Sequence, residues 1–437
     1  MKAKTVIGWT VIVILCLIPV YMLFYFGPGA GELGDYASIT HTFGEIFGLV
    51  GMTMFALTFL LSTRISAIED VFGGLDKVYI AHGILGGSAL IFILFHPIFL
   101  VLKFIPNDMQ TAAMYLLPSS YWSVNFGIIA LMGLIAPIFF TLFTRIRYNK
   151  WKFSHEFLGL AFAFAVLHIF MVRGTASKDL IFQGYYVYAA IVSAIGLGAF
   201  SYSLFLKDRM FKNAVYTISS IRSYKDSFAI GMIPEHKPLR YKSGQFIFVR
   251  FFNEKLTKEQ HPFSIASKSN AHEIKIVVKK LGDFTSRLEN LKERDRVSIE
   301  GPYGRFNYNR FGSKRQVWIA GGIGIAPFIG MAQDIAESPG QWQGVDLYYS
   351  ASHESDFIGL NLFNSVASRT GKFRFLPWNS EKRGYLTAEK INDLSKGVKD
   401  REFFLCGPEG FKNSIIKNLM NLGVPKDSIH EEVFDFR

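Results

Sequence analysis

Residues 78–102 read VYIAHGILGGSALIFILFHPIFLVL, with no Lys, Arg, Asp or Glu among them. About 20 helical residues cross the roughly 30 Å of a bilayer's hydrocarbon, so this stretch is long enough to span a membrane. It carries His82 and His96. On an ideal helix, 14 residues climb about 21 Å and turn to within about 40° of four full turns. The two imidazoles therefore share a face at two depths. Ionisable groups in hydrocarbon are costly and mark a functional site by default; the plainer alternative is a pair of core histidines bonded to neighbouring helices.

Five further apolar stretches lie at 5–26, 39–61, 122–144, 154–172 and 183–206. Together they predict an all-α six-helix transmembrane bundle over 1–209. The first follows Lys2 and Lys4 but exceeds a signal peptide's apolar region of about 7–15 residues, so it reads as a retained helix. Lys2, Lys4, Arg64, Lys77, Arg145, Arg147, Lys150, Lys152, Lys207, Arg209 and Lys212 fall on one side. Only Lys103, Arg173 and Lys178 fall on the other. Cationic loops stay inside. The expected protein is thus multi-pass in the cell (inner) membrane, with the N-terminus and everything after the sixth helix cytoplasmic.

The fifth stretch carries His155 and His168 and runs in the same direction as the third. His82 and His155 then share the inner depth, and His96 and His168 the outer. Two imidazoles facing each other at one depth can hold a haem iron axially. The spacing of 13 falls about 140° short on an ideal helix, so two ligands there need an overwound stretch or cofactors approaching from different sides. Gly83, Gly86 and Gly87 either admit a flat macrocycle or simply let helices pack. Phe157, Phe162 and Phe164 either line the gap between two haems or pack as core or lipid-facing side chains. Arg64, Arg145 and Lys152, and on the outer side Arg173, either meet haem propionates or only set topology. His41 and Glu45 share a helical face near Glu32 and Asp35, where an acceptor or protons arrive unless this is a solvated loop.

Of the 437 residues, 50% are hydrophobic and 19% charged, against about 25% charged in soluble domains. This excludes a disordered chain, and two cysteines exclude a disulfide scaffold. Residues 1–209 hold 13 Lys and Arg against 10 Asp and Glu; the remainder holds 34 against 25. The second half is therefore soluble and basic, suited to a phosphate-rich cofactor or an anionic leaflet. It has no basic block with interleaved aromatics, so no nucleic-acid partner is expected, and no pattern asks for an obligatory protein partner.

Short alternating runs at 215–221, 228–233, 245–251 and 274–278 predict a small antiparallel β-barrel over 210–312. Apolar strands at 317–320, 346–349, 373–376 and 403–405 alternate with helical segments, predicting an α/β doubly wound sheet over 313–437. Three clusters carry chemistry. His261-Pro262-Phe263-Ser264 is followed by Gly282-Asp283-Phe284-Thr285-Ser286, whose turn N–H groups and hydroxyl suit a pyrophosphate. Gly321-Gly322-Ile323-Gly324-Ile325-Ala326-Pro327 follows a strand and opens a helix, as a dinucleotide turn does. Cys406-Gly407-Pro408 follows another strand, and the chain ends Glu431-Glu432-Val433-Phe434-Asp435-Phe436-Arg437. Cys406, among small neighbours, is placed to lie close to a planar ring.

These residues resemble the ferredoxin-NADP reductase fold. The resemblance implies that His261 to Ser264 bind flavin, that Gly282, Phe284, Thr285 and Ser286 form the flavin-phosphate turn, and that Gly321, Gly322, Gly324, Pro327, Cys406, Gly407 and Pro408 bind the nicotinamide dinucleotide. It implies that Phe434 covers the flavin ring until nicotinamide displaces it, with Cys406 beside the reacting ring. Joined to six membrane helices, the chain resembles a bacterial member of the NADPH oxidase and ferric reductase superfamily. That superfamily places haem ligands 14 apart on the third helix and 13 apart on the fifth, which implies four ligands here: His82, His96, His155 and His168. The implied cofactors are FAD, two b-type haems and NADPH (or NADH). The implied acceptor is dioxygen, giving superoxide; the alternative is a ferric or cupric chelate. Leu100 stands where eukaryotic oxidases have a further histidine, and Tyr349-Ser350-Ala351-Ser352-His353 lacks the arginine many members use for the 2′-phosphate, leaving Ser350, Ser352 and Arg383 for that role. A histidine proton relay and a reductase merely anchored by helices are rival readings; both predict a protein without haem.

Overall fold

The structure is a computed structural model that describes residues 2–26, 34–105, 107–144, 148–173, 180–207, 214–257, 259–311, 314–337 and 342–432. The chain divides into two compact units, Met1–Asp208 and Arg209–Arg437.

Among the described residues of the first unit, six helices are long and apolar enough to cross a membrane: Thr5–Leu23, Tyr36–Ser62, Leu75–Leu102, Trp122–Phe143, Lys150–Val172 and Tyr186–Leu206. The second packs along the third and the fourth along the fifth. Close approach of the first pair depends on small residues: a Cβ at Gly44 or Gly51 would lie 2.7 Å from Leu100 or Ile93 of the third span. The bundle core gathers Met52, Phe55, Ala56, Phe59, Ala89, Leu134 and Phe162. Phe162 is fully buried, with its ring edge-on to Phe55 at 5.2 Å and Phe59 at 5.3 Å. Ile80, Ile84, Ile91 and Ile98 of the third span stay exposed, as a lipid-facing side requires.

The fifth span is broken into two helices, Tyr148–Glu156 and Leu158–Arg173. At the break, Phe157 N–H donates to Ser154 O (3.2 Å) and Leu160 N–H donates to Phe157 O (3.0 Å). Bonds reaching three residues back mark a tightened turn of about 120° per residue instead of about 100°. The spacing of 13 calls for overwinding, and this turn supplies part of it.

The second unit opens with a six-stranded antiparallel sheet: β1 (Val215–Ser223), β2 (Ser227–Pro234), β3 (Phe246–Phe252), β4 (His261–Ser264), β5 (Ile274–Lys279) and β6 (Arg296–Tyr303), in the order β4-β3-β6-β1-β2-β5. Its alternate residues Ile218, Ile230, Ile247, Val249, Ile276 and Ile299 fill one core. The sheet curls but does not close into the expected barrel, because β4 and β5 meet only at the bridge Ile265–Ile276. Beyond Ala266 the backbone is committed elsewhere: Lys268 N–H and Ser269 N–H donate to the side chains of Gln333 and Asp334 on the helix Ala326–Glu337.

Five parallel strands follow: β7 (Arg315–Gly321), β8 (Val345–Ala351), β9 (Phe373–Asn379), β10 (Arg401–Cys406) and β11 (Ile429–Glu431), in the order β11-β10-β7-β8-β9. Both faces are covered. Trp318 points to a cluster with Phe328 and Phe363, while Val317 and Ile319 point to one with Ile391, Ile415 and Leu419. Burial on both faces explains why these strands read as apolar runs without alternation. The order reverses between β7 and β10, and such a switch point opens a crevice at the strands' carboxyl ends.

Candidate functional site

That crevice lies between Gly321, ending β7, and Cys406, ending β10. Gly322 takes φ 54° and Gly407 φ 155°, conformations that favour glycine. The short turn Gly322–Ile325 leads into Ala326–Glu337, where Pro327, lacking an N–H, sits harmlessly in the first helical turn. A Cβ on Gly324 would overlap the Cys406 carbonyl, so the dinucleotide turn and the Cys406-Gly407 corner interlock. Pro408 starts the helix Glu409–Asn421.

At the crevice floor, Ser264 Oγ donates to Glu432 Oε2 (3.2 Å) and Cys406 Sγ donates to the same oxygen (3.6 Å). Burial, with the carboxylate's charge, pushes the Cys406 thiol well above its ordinary value. The thiol thus stands as a neutral donor to that carboxylate. Lys412, buried in Glu409–Asn421, donates through Nζ to Glu431 Oε2 (3.1 Å) and to the Glu432 carbonyl (2.8 Å). Ser264 and Cys406, 142 positions apart in the chain, thus meet through a residue the motif reading did not single out. Only the acid pair just before the terminal aromatic hinted at Glu432.

His261 lies on β4 and stacks on Phe284 (3.7 Å between centroids), with Nε2 3.1 Å from Glu259 Oε2. Burial holds its pKa below the ordinary imidazole value, against the pull of Glu259. Pro262 and Phe263 pair with Phe248 and Ile247 of β3. Thr285 Oγ1 accepts from the N–H groups of Leu281 (2.9 Å) and Gly282 (3.1 Å), so the hydroxyl expected to face a pyrophosphate here caps its own turn. Ser286 N–H closes that single helical turn on Gly282 O (3.0 Å). Ser350, next to last in β8, pairs with Trp378 of β9, and the exposed Arg383 guanidinium lies over the Trp378 ring at 5.3 Å. Ser350, Ser352 and Arg383 therefore lie at or just past the carboxyl ends of β8 and β9. Phe434, Glu32, Arg145, Arg147, Lys178, Arg209, Lys212 and the Arg173 side chain lie outside the described residues.

In the membrane unit, the His82 and His155 ring centroids are 6.2 Å apart, and those of His96 and His168 are also 6.2 Å apart. With metal–nitrogen bonds of about 2.0–2.1 Å and a ring nitrogen about 1.1 Å from its centroid, imidazoles on opposite sides of one metal ion stand about 6.2–6.4 Å apart. Nδ1 of His82 contacts the Thr58 carbonyl (3.0 Å), that of His96 the Gly44 carbonyl (2.7 Å), and that of His168 the Ser123 carbonyl (2.7 Å). A carbonyl only accepts, so each Nδ1 carries the proton and Nε2 keeps the lone pair a metal needs. His155 Nδ1 is buried without a hydrogen-bond partner, and its ring stacks on Trp151 at 5.2 Å. Among the described residues no cluster of three or more His, Cys, Asp or Glu forms a metal site. Isolated pairs suit a metal whose other positions are already filled by a macrocycle. A cavity of about 250 Å³, lined mainly by apolar side chains, contains His96 and His168, with His41 and Glu45 also on its wall.

A sequence model of the ferric reductase like transmembrane component matches residues 47–166, one of an FAD-binding domain matches 211–307, and one of an oxidoreductase NAD-binding domain matches 318–417. Flavohemoprotein A of Dictyostelium discoideum is 28% identical over 148 residues, covering 33% of this chain and 36% of its own. The phenol hydroxylase P5 protein of Acinetobacter pittii is 28% identical over 211 residues, covering 45% and 59%. The chain spans about half the length of the curated relatives it matches. The FAD/NAD-binding domain of a Vibrio cholerae nitric oxide dioxygenase is similar at TM-score 0.45 and 23% identity, over 51% of this chain and 98% of that one. In this order the three matched parts fit a ferric reductase or NADPH oxidase-like fusion, in which a transmembrane component is joined to FAD-binding and NAD-binding domains.

Proposed function

We propose that the chain carries electrons from cytoplasmic NAD(P)H through FAD and two b-type haems to an acceptor outside the membrane, with dioxygen reduced to superoxide. The observation that carries this reading is the two histidine pairs at 6.2 Å, three of the four rings having Nδ1 tied to a backbone carbonyl. His82 and His155 would hold the inner haem, His96 and His168 the outer. A flavin held by His261 to Ser264 would supply conversion of a hydride's electron pair into single electrons, and haems held by the histidine pairs would supply one-electron transfer.

The chain's own residues supply placement. Gly321, Gly322 and Gly324 admit the pyrophosphate of NAD(P)H close to backbone. Ser350, Ser352 and Arg383 would receive the 2′-phosphate when the donor is NADPH; NADH lacks that group. Cys406 lies under the nicotinamide, held by Glu432, which Ser264 also bonds. His261 to Ser264 and the Gly282 turn would hold the flavin. On the outer side the cavity lining is mainly apolar, which suits dioxygen better than a charged chelate. A ferric or cupric chelate is the second acceptor, favoured by the match to the ferric reductase like component.

Oxidised and dithionite-reduced spectra of the purified full chain test the reading. Split reduced bands and two haems per flavin are expected; a flavoprotein without porphyrin, despite ample haem supply during expression, refutes it. His96→Ala should lose the outer haem and keep flavin reduction by NAD(P)H. Cytochrome c reduction sensitive to superoxide dismutase identifies dioxygen, whereas anaerobic reduction of ferric chelates identifies the metal alternative.

A further inference from the structure

The His96/His168 pair is set by a device that occurs twice. On the second span, His96 Nδ1 donates to the Gly44 carbonyl (2.7 Å); one turn further on, a Cβ at Gly48 would stand 2.6 Å from that same Nδ1 and 2.9 Å from Cε1. On the fourth span, His168 Nδ1 donates to the Ser123 carbonyl (2.7 Å); one turn further on, a Cβ at Gly127 would stand 2.8 Å from that Nδ1 and 2.9 Å from Cε1. A helical carbonyl points along the axis toward the residue four positions on. A ring that reaches the carbonyl must therefore lie against that residue, and here only a hydrogen leaves it room. Any side chain at 48 or 127 forces the imidazole to swing and stretch its Nδ1 bond.

The other pair is built differently. His82 reaches the Thr58 carbonyl at 3.0 Å, with Ser62, which has a Cβ, at the position corresponding to the two glycines. His155 has no bond at Nδ1 and is held by Trp151 stacking and by the helix break at Phe157. We propose that Gly48 and Gly127 are matched positioning residues that orient His96 and His168 and so set haem retention and reduction potential at that site alone. This rests on the haem reading above. The physical link is general: a ligand imidazole's second nitrogen fixes its orientation and basicity.

The test uses the full chain in detergent or nanodiscs, with haem-to-flavin ratio and a spectroelectrochemical titration as readouts. Gly48→Ala and Gly127→Ala are each expected to lower the ratio from two haems toward one, or to shift one of the two midpoints while leaving the other in place. Gly51→Ala is the control for crowding: its Cβ would meet Ile93 at 2.7 Å but no histidine. Gly198→Ala is the control for substitution itself, since its Cβ would meet nothing within 4 Å. Both controls should keep two haems and both midpoints. Two haems with unchanged midpoints in Gly48→Ala and Gly127→Ala would overturn the proposal, as would loss of the same haem from Gly51→Ala or of both haems from either variant. A wild-type chain without haem fails at the earlier step and refutes the haem reading itself, so the two failures are distinct.

Discussion

Replacing Lys412 by Met tests whether the end of β11 is held in place for hydride transfer. The side chain is 5% exposed, and its Nζ lies 3.1 Å from Glu431 Oε2 and 2.8 Å from the Glu432 carbonyl. Methionine keeps the length and apolar stem but removes both bonds. Glu431 is 42% exposed, so its carboxylate rehydrates at little cost. The Glu432 carbonyl is buried and loses a charge-assisted bond, worth about 1.5–3 kcal/mol. At 1.4 kcal/mol per factor of ten, seating of Glu432 between Ser264 and Cys406 weakens about 10- to 150-fold. Stopped-flow bleaching of the flavin by NADPH measures this. The rate constant should fall, the Kd for NADPH should change much less, and Lys412→Arg should restore most of the rate. Flavin bleaching at the wild-type rate in Lys412→Met would show that Lys412 does not hold the site.

Gly324→Ala places a methyl on the Cys406 carbonyl and forces the dinucleotide turn away from β10. At about 1–3 kcal/mol for overpacking, NADPH affinity should drop about tenfold with FAD content unchanged, read by equilibrium titration. Asp346→Ala removes the carboxylate that holds Arg401 (3.1 Å), Arg374 (3.4 Å) and Ser395 (3.0 Å), leaving a largely buried guanidinium without its counter-charge. Urea unfolding followed by flavin fluorescence should show a loss of about 3 kcal/mol. His430 is buried against Phe311 and Glu402, and burial keeps its pKa below the ordinary value of about 6.5. The unfolded chain therefore binds the proton first. This contribution to stability is complete above about pH 6.5 and is lost as pH falls through the lower folded value. His430→Gln should reduce the acid-side slope of the flavin-domain melting temperature, and an unchanged slope would remove His430 from the account.

Several features were decided by local sequence alone, because the physics behind them is local. A bilayer has fixed thickness, so six uninterrupted apolar stretches are six spans. Helical rise is fixed, so the paired depths of His82 with His155 and His96 with His168 follow from residue number. A glycine-rich turn after a buried strand marks a candidate nucleotide turn, with an ordinary tight turn as the alternative. Other features depend on contacts that no periodicity encodes. β4 carries Pro262 and β6 carries Gly301 and Pro302, residues that argue against strands until neighbours supply the pairing. The barrel stays open because Lys268 and Ser269 bond the helix Ala326–Glu337, which belongs to the parallel-sheet half of the second unit. The break at Phe157 becomes necessary only when two histidines must face partners on another helix. Gly48, Gly127, Lys412 and Glu432 acquire their roles from atoms far away in the chain. Hydrophobic pattern and spacing are properties of a segment, whereas the choice of which carbonyl receives which N–H, and which Cβ has no room, is made only when segments pack.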